Sequence, residues 1–175
     1  MVNFKQTTMN KIFGVGLAKT GTTSLAHAMS ILKFTSKHYS FNIESDLKKY
    51  QFLNDMPIQT RYKEYDNKYS NSKFILTIRD ESSWLVSIQK QFLKYKRIKN
   101  STIYKHWIEQ FGVNELNKEK FLKKYQDHCN EVKEYFKNRK DFLIMDIFSG
   151  DGWQKLCNFL NVKIPNVEFP HLNKS

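Results

Sequence analysis

The 175-residue sequence predicts an α/β fold of three layers, a mainly parallel central sheet flanked by helices, and three observations carry that expectation. A short apolar strand, Lys11 to Val15, leads through a loop holding Gly16, Gly21 and three threonines into a helix. In that helix Leu25, Ala28, Met29 and Leu32 recur at helical spacing. Two further runs, Lys73 to Ile78 (KFILTI) and Phe142 to Ile147 (FLIMDI), are short, apolar and bounded by polar residues, as strands buried on both faces are. Helical segments separate the three runs, so right-handed crossovers lay the strands side by side and parallel.

Taken in order, the first helix starts near Gly21. Thr35 to Phe41 (TSKHYSF) has a weak apolar signal that fits a second strand. Ser45 to Leu53 and Gln59 to Tyr69 read as two short helices, broken at Asn54-Asp55-Met56-Pro57, where the proline disfavours helix in the residue before it. After KFILTI come Arg79 and Asp80, and Ser82 or Ser83 is the expected cap of a helix running through Trp84, Ile88 and Phe92 toward Tyr95. Lys94 to Lys140 is expected to be helical and lysine-rich, with Trp107, Phe111, Phe121, Leu122, Tyr125, Val132 and Phe136 supplying its apolar positions and most of the lysines on solvated faces. Asp151-Gly152 turns the chain into a last helix around Trp153, Leu156, Phe159 and Leu160, and Pro165 and Pro170 keep the tail extended. There is no internal repeat or long linker, and residues 1–175 are read as a single domain.

Composition limits the functional classes. A net charge of +12 favours anionic ligands. It does not by itself specify nucleic acid: of the 29 basic residues all but Arg61, Arg79, Arg97 and Arg139 are lysine, and no nucleic-acid-binding motif accompanies them. Cys129 and Cys157 lie far apart, with no CxxC and no Cys/His cluster, so neither a disulfide nor a metal is expected. No apolar stretch is long enough to span a bilayer and the N-terminus lacks a basic-then-apolar leader, which together favour a cytoplasmic protein.

The loop carries the chemistry. A strand that enters a helix through glycines points unpaired N–H groups and the positive dipole end at one spot, and an anion is its natural occupant. In the common nucleotide-hydrolase loop a lysine directly follows the second glycine. Here Thr22 stands in that place and the lysine comes two residues before the glycine, in Lys19-Thr20-Gly21-Thr22-Thr23. Arg79 follows a second strand, so both loops meet at the same carboxyl edge of the sheet, where ligands of such folds bind.

The Lys19–Thr23 segment resembles the 5′-phosphosulfate loop of sulfotransferases that use 3′-phosphoadenosine 5′-phosphosulfate (PAPS). Arg79-Asp80-Glu81 with Ser87 resembles the family's 3′-phosphate pattern R-D-P-x-x-x-x-x-S, with Glu81 in place of the usual proline. The tail, GWQKLCNFLNVKIPNVEFPHLN, also resembles the end of such proteins, and the likeness therefore covers most of the chain. It implies a P-loop-type fold, PAPS as donor, and a small-molecule or glycan acceptor with a hydroxyl or amine, with no metal. It implies that Lys19, Thr20, Gly21, Thr22, Thr23, Ser24, Arg79 and Ser87 bind the nucleotide, with Lys19 also catalytic. Three departures stand out. Ala18 replaces a frequent proline, Ser24 stands where many members carry an adenine-stacking tryptophan, and the Arg-Lys-Gly clamp is missing, with Asn173 and Lys174 as its candidate substitutes.

The base is nominated by the same likeness. Cytosolic members carry a histidine in His-Leu-Pro some two dozen residues before the 3′-phosphate arginine, and several Golgi members use a carboxylate. Asp55-Met56-Pro57 occupies the matching place, so Asp55 is the nominated base. An ordinary aspartate needs burial or a partner to act on an alcohol. His38 and Asp46 are the rivals, and Asp55 alternatively caps the turn at Pro57. Two other functional classes remain open at this point: a P-loop kinase or hydrolase, and a non-catalytic nucleotide- or anion-binding module.

Overall fold

The structure is a computed structural model and describes residues 10–96, 102–112 and 115–172. Five strands form one sheet in the order β2-β3-β1-β4-β5: β1 Ile12–Gly14, β2 Ser36–His38, β3 Phe52–Asn54, β4 Lys73–Thr77 and β5 Phe142–Met145. All pairings are parallel, with Ile12 set against both Phe52 and Lys73. The helices are α1 Thr22–Ile31, α2 Ile43–Lys49, α3 Tyr62–Lys68, α4 Glu81–Lys96, α5 Thr102–Phe111, α6 Lys118–Tyr135 and α7 Trp153–Leu160. Single 3₁₀ turns cover Ile58–Thr60 and Ile147–Ser149.

Each sheet face has its own core. On one, Leu25, Met29, Leu156 and Leu160 of α1 and α7 pack on Ile12, Phe52 and Ile75. On the other, Tyr62, Tyr65, Val132 and Phe136 of α3 and α6 pack on Phe13, Leu53, Phe74 and Leu76. A third cluster, with Trp84, Phe92, Trp107, Phe111 and Phe121, joins α4, α5 and α6 and extends to Leu17 and Ala18 of the first loop.

Three local expectations are corrected. The helix expected from Ser45 to Leu53 ends at Lys49; Tyr50 turns extended, and Phe52–Asn54 becomes β3. Phe52 is buried toward α1 and Leu53 toward α3, so both faces of the strand are apolar. Two adjacent apolar residues fit a buried strand and a helix end equally well. The cap of α4 is Asp80, whose Oδ1 accepts from the Ser83 N–H at 2.9 Å, rather than either serine. The long helical stretch after Lys94 is broken before α6, where Asn117 caps the new helix by accepting from the Lys120 N–H at 2.8 Å. β2 falls within the weak Thr35–Phe41 segment.

The chain after β1 passes so close to the end of β4 that only glycine fits. A Cβ on Gly16 would press on the Thr77 hydroxyl, lie 2.6 Å from the Thr77 carbonyl oxygen and 2.9 Å from Thr20 Oγ1. Gly16→Ala is therefore expected to lower stability by about 1–3 kcal/mol, the usual range for overpacking a tight site. Urea denaturation measures it, and an unchanged midpoint would mean that the loop does not rest on β4.

Candidate active site

A cleft of about 640 Å³ opens at the carboxyl edge of the sheet, lined among others by Lys19, Gly21, Thr22, Thr23, His38, Asp55, Arg79 and Ser87. Four strand ends supply it. β1 leads into the loop, β2 ends at His38, β3 ends at Asn54 next to Asp55, and β4 ends two residues before Arg79.

The first loop is held from both sides. Thr20 Oγ1 donates to the Leu17 carbonyl at 2.7 Å and shares a 2.6 Å hydrogen bond with Thr77 Oγ1. The buried Trp84 indole of α4 donates to the Ala18 carbonyl at 2.9 Å. Between these anchors Lys19 (φ 72°) and Gly21 (φ 98°) both adopt the left-handed conformation, which turns the chain sharply into α1. No side chain caps α1 and its first turn holds no acidic residue, so the positive end of the helix faces the cleft with its first N–H groups uncapped by any side chain.

Arg79 is fixed with similar care. The Tyr125 hydroxyl donates to its carbonyl at 2.6 Å and accepts from its N–H at 2.8 Å. Its guanidinium donates to Ser83 Oγ at 2.9 Å and to the Lys19 carbonyl at 3.4 Å, and lies 3.9 Å over the Phe148 ring. Ser87, two turns along α4, is buried and lines the same cleft.

The proposed base sits across from Lys19. Asp55 (φ 65°) is only 8% exposed. Its Oδ1 accepts from the Met56 N–H at 2.8 Å, while Oδ2 accepts from Thr22 Oγ1 at 3.2 Å and lies 3.6 Å from His38 Nε2. Asn54 decides the histidine tautomer: its amide nitrogen donates to the Thr22 carbonyl at 2.7 Å, so its oxygen is the atom that faces His38 Nδ1 at 3.1 Å. An oxygen can only accept, so Nδ1 carries a proton. In the neutral ring the Nε2 lone pair then faces Thr23 Oγ1 at 3.2 Å and the Asp55 carboxylate.

Lys19, Thr22, Thr23, His38, Asp55, Arg79 and Ser87 thus converge. Three other residues do not. Thr20 turns its hydroxyl inward to Thr77 and serves as an anchor of the loop. Ser24 is buried, and its Oγ accepts from the Leu172 N–H at 2.9 Å, tying the tail to α1. Asp46, the rival carboxylate, accepts from Ser40 Oγ at 2.7 Å and is not among the cleft residues. Asn173 and Lys174 lie outside the described residues.

Sequence reasoning missed the far wall, where Lys90, Gln91, Lys94 and Tyr95 of α4 line the cleft. A signal was present: positions 87, 90, 91 and 94 share one helical face. Phe148 and Leu172 were missed as well, being distant in sequence and carrying no motif.

An α/β sheet with a glycine-rich loop between a strand and a helix, a second cation at the next strand end and a carboxylate–imidazole pair opposite suits group transfer from an anionic donor. The sulfotransferase-domain family signature matches residues 41–175, and the chain belongs to that family of sulfuryl-transferring enzymes. The first loop precedes the matched stretch, so its place in the site rests on its own geometry. "Ava biosynthesis cluster protein M" of Aspergillus versicolor is 21% identical over 211 residues, covering 93% of this chain and 80% of that protein. The fold resembles that of a sulfotransferase from Alicyclobacillus acidocaldarius (TM-score 0.54, 17% identity, 93% of this chain and 84% of that one). It also resembles mouse sulfotransferase SULT7A1 complexed with PAP (TM-score 0.56, 18% identity, 90% of this chain and 60% of that one).

Partial burial lowers the pKa of the Lys19 ammonium, and the neighbouring Arg79 and Lys94 lower it further against a smaller opposing effect of Asp55. A lysine whose folded pKa is depressed costs stability below that pKa, and the cost fades as pH rises through it. Lys19→Gln is therefore expected to raise the melting temperature at pH 7 in low salt, with a gain that shrinks toward alkaline pH. Calorimetry across pH checks this, and a fall in melting temperature at pH 7 would show that Lys19 is not crowded by cations.

Proposed function

We propose that this protein transfers a sulfuryl group from PAPS to the hydroxyl or amine of a small acceptor, acting as a single cytoplasmic unit. Two free, buried cysteines, Cys129 and Cys157, fit a reducing compartment, and among the described residues no helix is long and apolar enough to cross a membrane. The observation that carries the reading is the charge of the cleft. Lys19, Arg79, Lys90 and Lys94 line it with Asp55 as the only carboxylate among the described lining residues, and no side chain caps the helix that opens into it. Such a site costs stability when empty and becomes favourable around a multiply charged anion. Two anion positions suit the two phosphate groups of PAPS: the start of α1 with Lys19, Thr22 and Thr23, and Arg79 with Ser87.

Sulfuryl transfer forms a bond from the acceptor oxygen or nitrogen to sulfur and breaks the bond from sulfur to the 5′-phosphate oxygen, which keeps the electron pair. Lys19 and the α1 amides oppose the charge that grows on that oxygen, and the effect is strongest in the transition state. Arg79, braced by Tyr125, Ser83 and Phe148, offers its remaining donors to the 3′-phosphate as charge-assisted hydrogen bonds. The proton leaving the acceptor goes to the Asp55–His38 pair. Asp55 has one oxygen fixed by Met56, and an imidazolium formed at His38 stays 3.6 Å from its other oxygen. PAP of the SULT7A1 complex is the nucleotide such a reaction leaves behind, which supports PAPS as the donor.

Isothermal calorimetry tests the donor site. Adenosine 3′,5′-bisphosphate is expected to bind at least tenfold more tightly than adenosine 5′-phosphate, and Arg79→Ala to remove that difference while leaving 5′-phosphate binding nearly intact. Equal losses for both ligands would make Arg79 a structural residue, and tighter binding of ATP with magnesium than of the bisphosphate would favour a kinase.

Asp55→Asn tests the base, since the amide keeps the oxygen facing the Met56 N–H. Transfer is expected to fall at least a hundredfold, about 2.7 kcal/mol, with bisphosphate affinity and melting temperature retained. Retained turnover would take Asp55 out of the mechanism, and a larger loss from His38→Gln would move the base to the histidine.

A further inference from the structure

Beyond the two phosphate positions the cleft continues along α4, and this stretch has a chemistry of its own. α4 rises about 1.5 Å per residue, so Lys94 lies about 10 Å past Ser87, well clear of the Arg79 end. Lys90, Gln91, Lys94 and Tyr95 line the same cleft as Lys19, His38 and Asp55. The wall they form therefore borders the space that the acceptor has to enter.

That wall is cationic and polar. Among the described residues neither Lys90 nor Lys94 has a carboxylate partner. The Gln91 amide donates to the Tyr95 hydroxyl at 3.3 Å, while its oxygen is shielded from solvent and has no hydrogen-bond partner among the described residues. The apolar lining lies at the other end, with Phe148 over Arg79 and Leu172 bonded to Ser24. A flat apolar alcohol would meet little matching surface on the α4 wall and would leave two ammonium groups and an amide oxygen unpaired.

We infer that the acceptor carries its own negative charge, a carboxylate or phosphate seated between Lys90 and Lys94 of α4, with its hydroxyl or amine presented to Asp55. The inference rests on the sulfotransferase reading and names the substrate class of that same site. Side chains four apart on a helix are neighbours, with Cβ atoms about 6 Å apart, a span that one carboxylate or phosphate bridges. Donor phosphates are already provided for by Lys19, the start of α1, Arg79 and Ser87, so the two lysines add an anion position rather than repeat one. Gln91 offers its oxygen to a further O–H or N–H of the same molecule.

The test saturates the protein with adenosine 3′,5′-bisphosphate and titrates two matched pairs by calorimetry: glycerol 3-phosphate against glycerol, and 3-(4-hydroxyphenyl)propanoate against its amide. The anionic member of at least one pair is expected to bind tenfold or more tightly than its neutral partner. The pair that shows the preference tells phosphate from carboxylate. In the Lys90→Gln/Lys94→Gln protein the preference is expected to fall close to one. No preference in either pair, or a preference that survives the double substitution, would overturn the inference. So would a loss of bisphosphate affinity in the double variant as large as the loss for the anionic probe, since the lysines would then serve the donor. Failure of the unmodified protein to bind the bisphosphate at all is a separate result, which removes the sulfotransferase reading and this inference with it.

Discussion

The structure depends on holding Lys19 and Arg79 together at the uncapped start of a helix, where Asp55 is the only carboxylate among the described residues that line the cleft. Lys19 and Arg79 approach the uncapped end of α1, and the Arg79 guanidinium bonds the Lys19 carbonyl rather than any carboxylate. Like charges drift apart unless the backbone that carries them is fixed. Much of the surrounding packing supplies that fixation. Thr20 and Thr77 lock the loop to β4, Trp84 locks it to α4, and Tyr125 holds both backbone groups of Arg79. Trp84 and Tyr125 are themselves stacked, with ring centroids 4.4 Å apart, so the supports of the two cations form one rigid piece.

Sheet order explains why Asp55 and His38 lie opposite those cations. β1 is central, with β3 on one side and β4 on the other. The loop after β1 therefore sits between the end of β3, which carries Asn54 and Asp55, and the end of β4, which leads to Arg79. β2, at the edge beyond β3, adds His38. The Asn54 amide then joins strand ends to helix: it donates to the Thr22 carbonyl and accepts from His38 Nδ1, so the ring orientation follows the position of α1. Movement of α1 and rotation of the His38 ring are coupled through that one side chain.

The central features were legible in the sequence because each coincides with a backbone requirement. A lysine and glycines between a strand and a helix announce an anion cradle, and the buried runs at β4 and β5 announce a parallel sheet. β3 was not legible: three residues with both faces buried have no period to read. Thr20 and Ser24 belong to a motif in which any hydroxyl is a plausible ligand, and only tertiary contacts, with Thr77 and with the Leu172 N–H, show which hydroxyls turn inward. The α4 lysines Lys90 and Lys94 belong to no motif, and lysine is abundant throughout the chain. Their place in the cleft follows from the angle at which Trp84 and Phe92 seat the helix, and that angle is set by α5 and α6.

Of the seven described non-glycine residues with left-handed backbone, Lys33, Asn71, Asn138 and Asn161 lie outside the cleft lining. The other three, Lys19, Tyr39 and Asp55, each belong to the cleft lining or directly follow a residue that does. Left-handed backbone costs an ordinary side chain about 1 kcal/mol or more. At Lys19 this cost comes on top of burial and cation crowding, and all three oppose the empty folded state. Folding tolerates them because most of the apolar packing, on both sheet faces and between α4, α5 and α6, lies outside the cleft lining. A bound polyanion would reverse the electrostatic part and leave the backbone part unchanged. Affinity for the ligand and stability without it are thus set by the same few residues, in opposite directions.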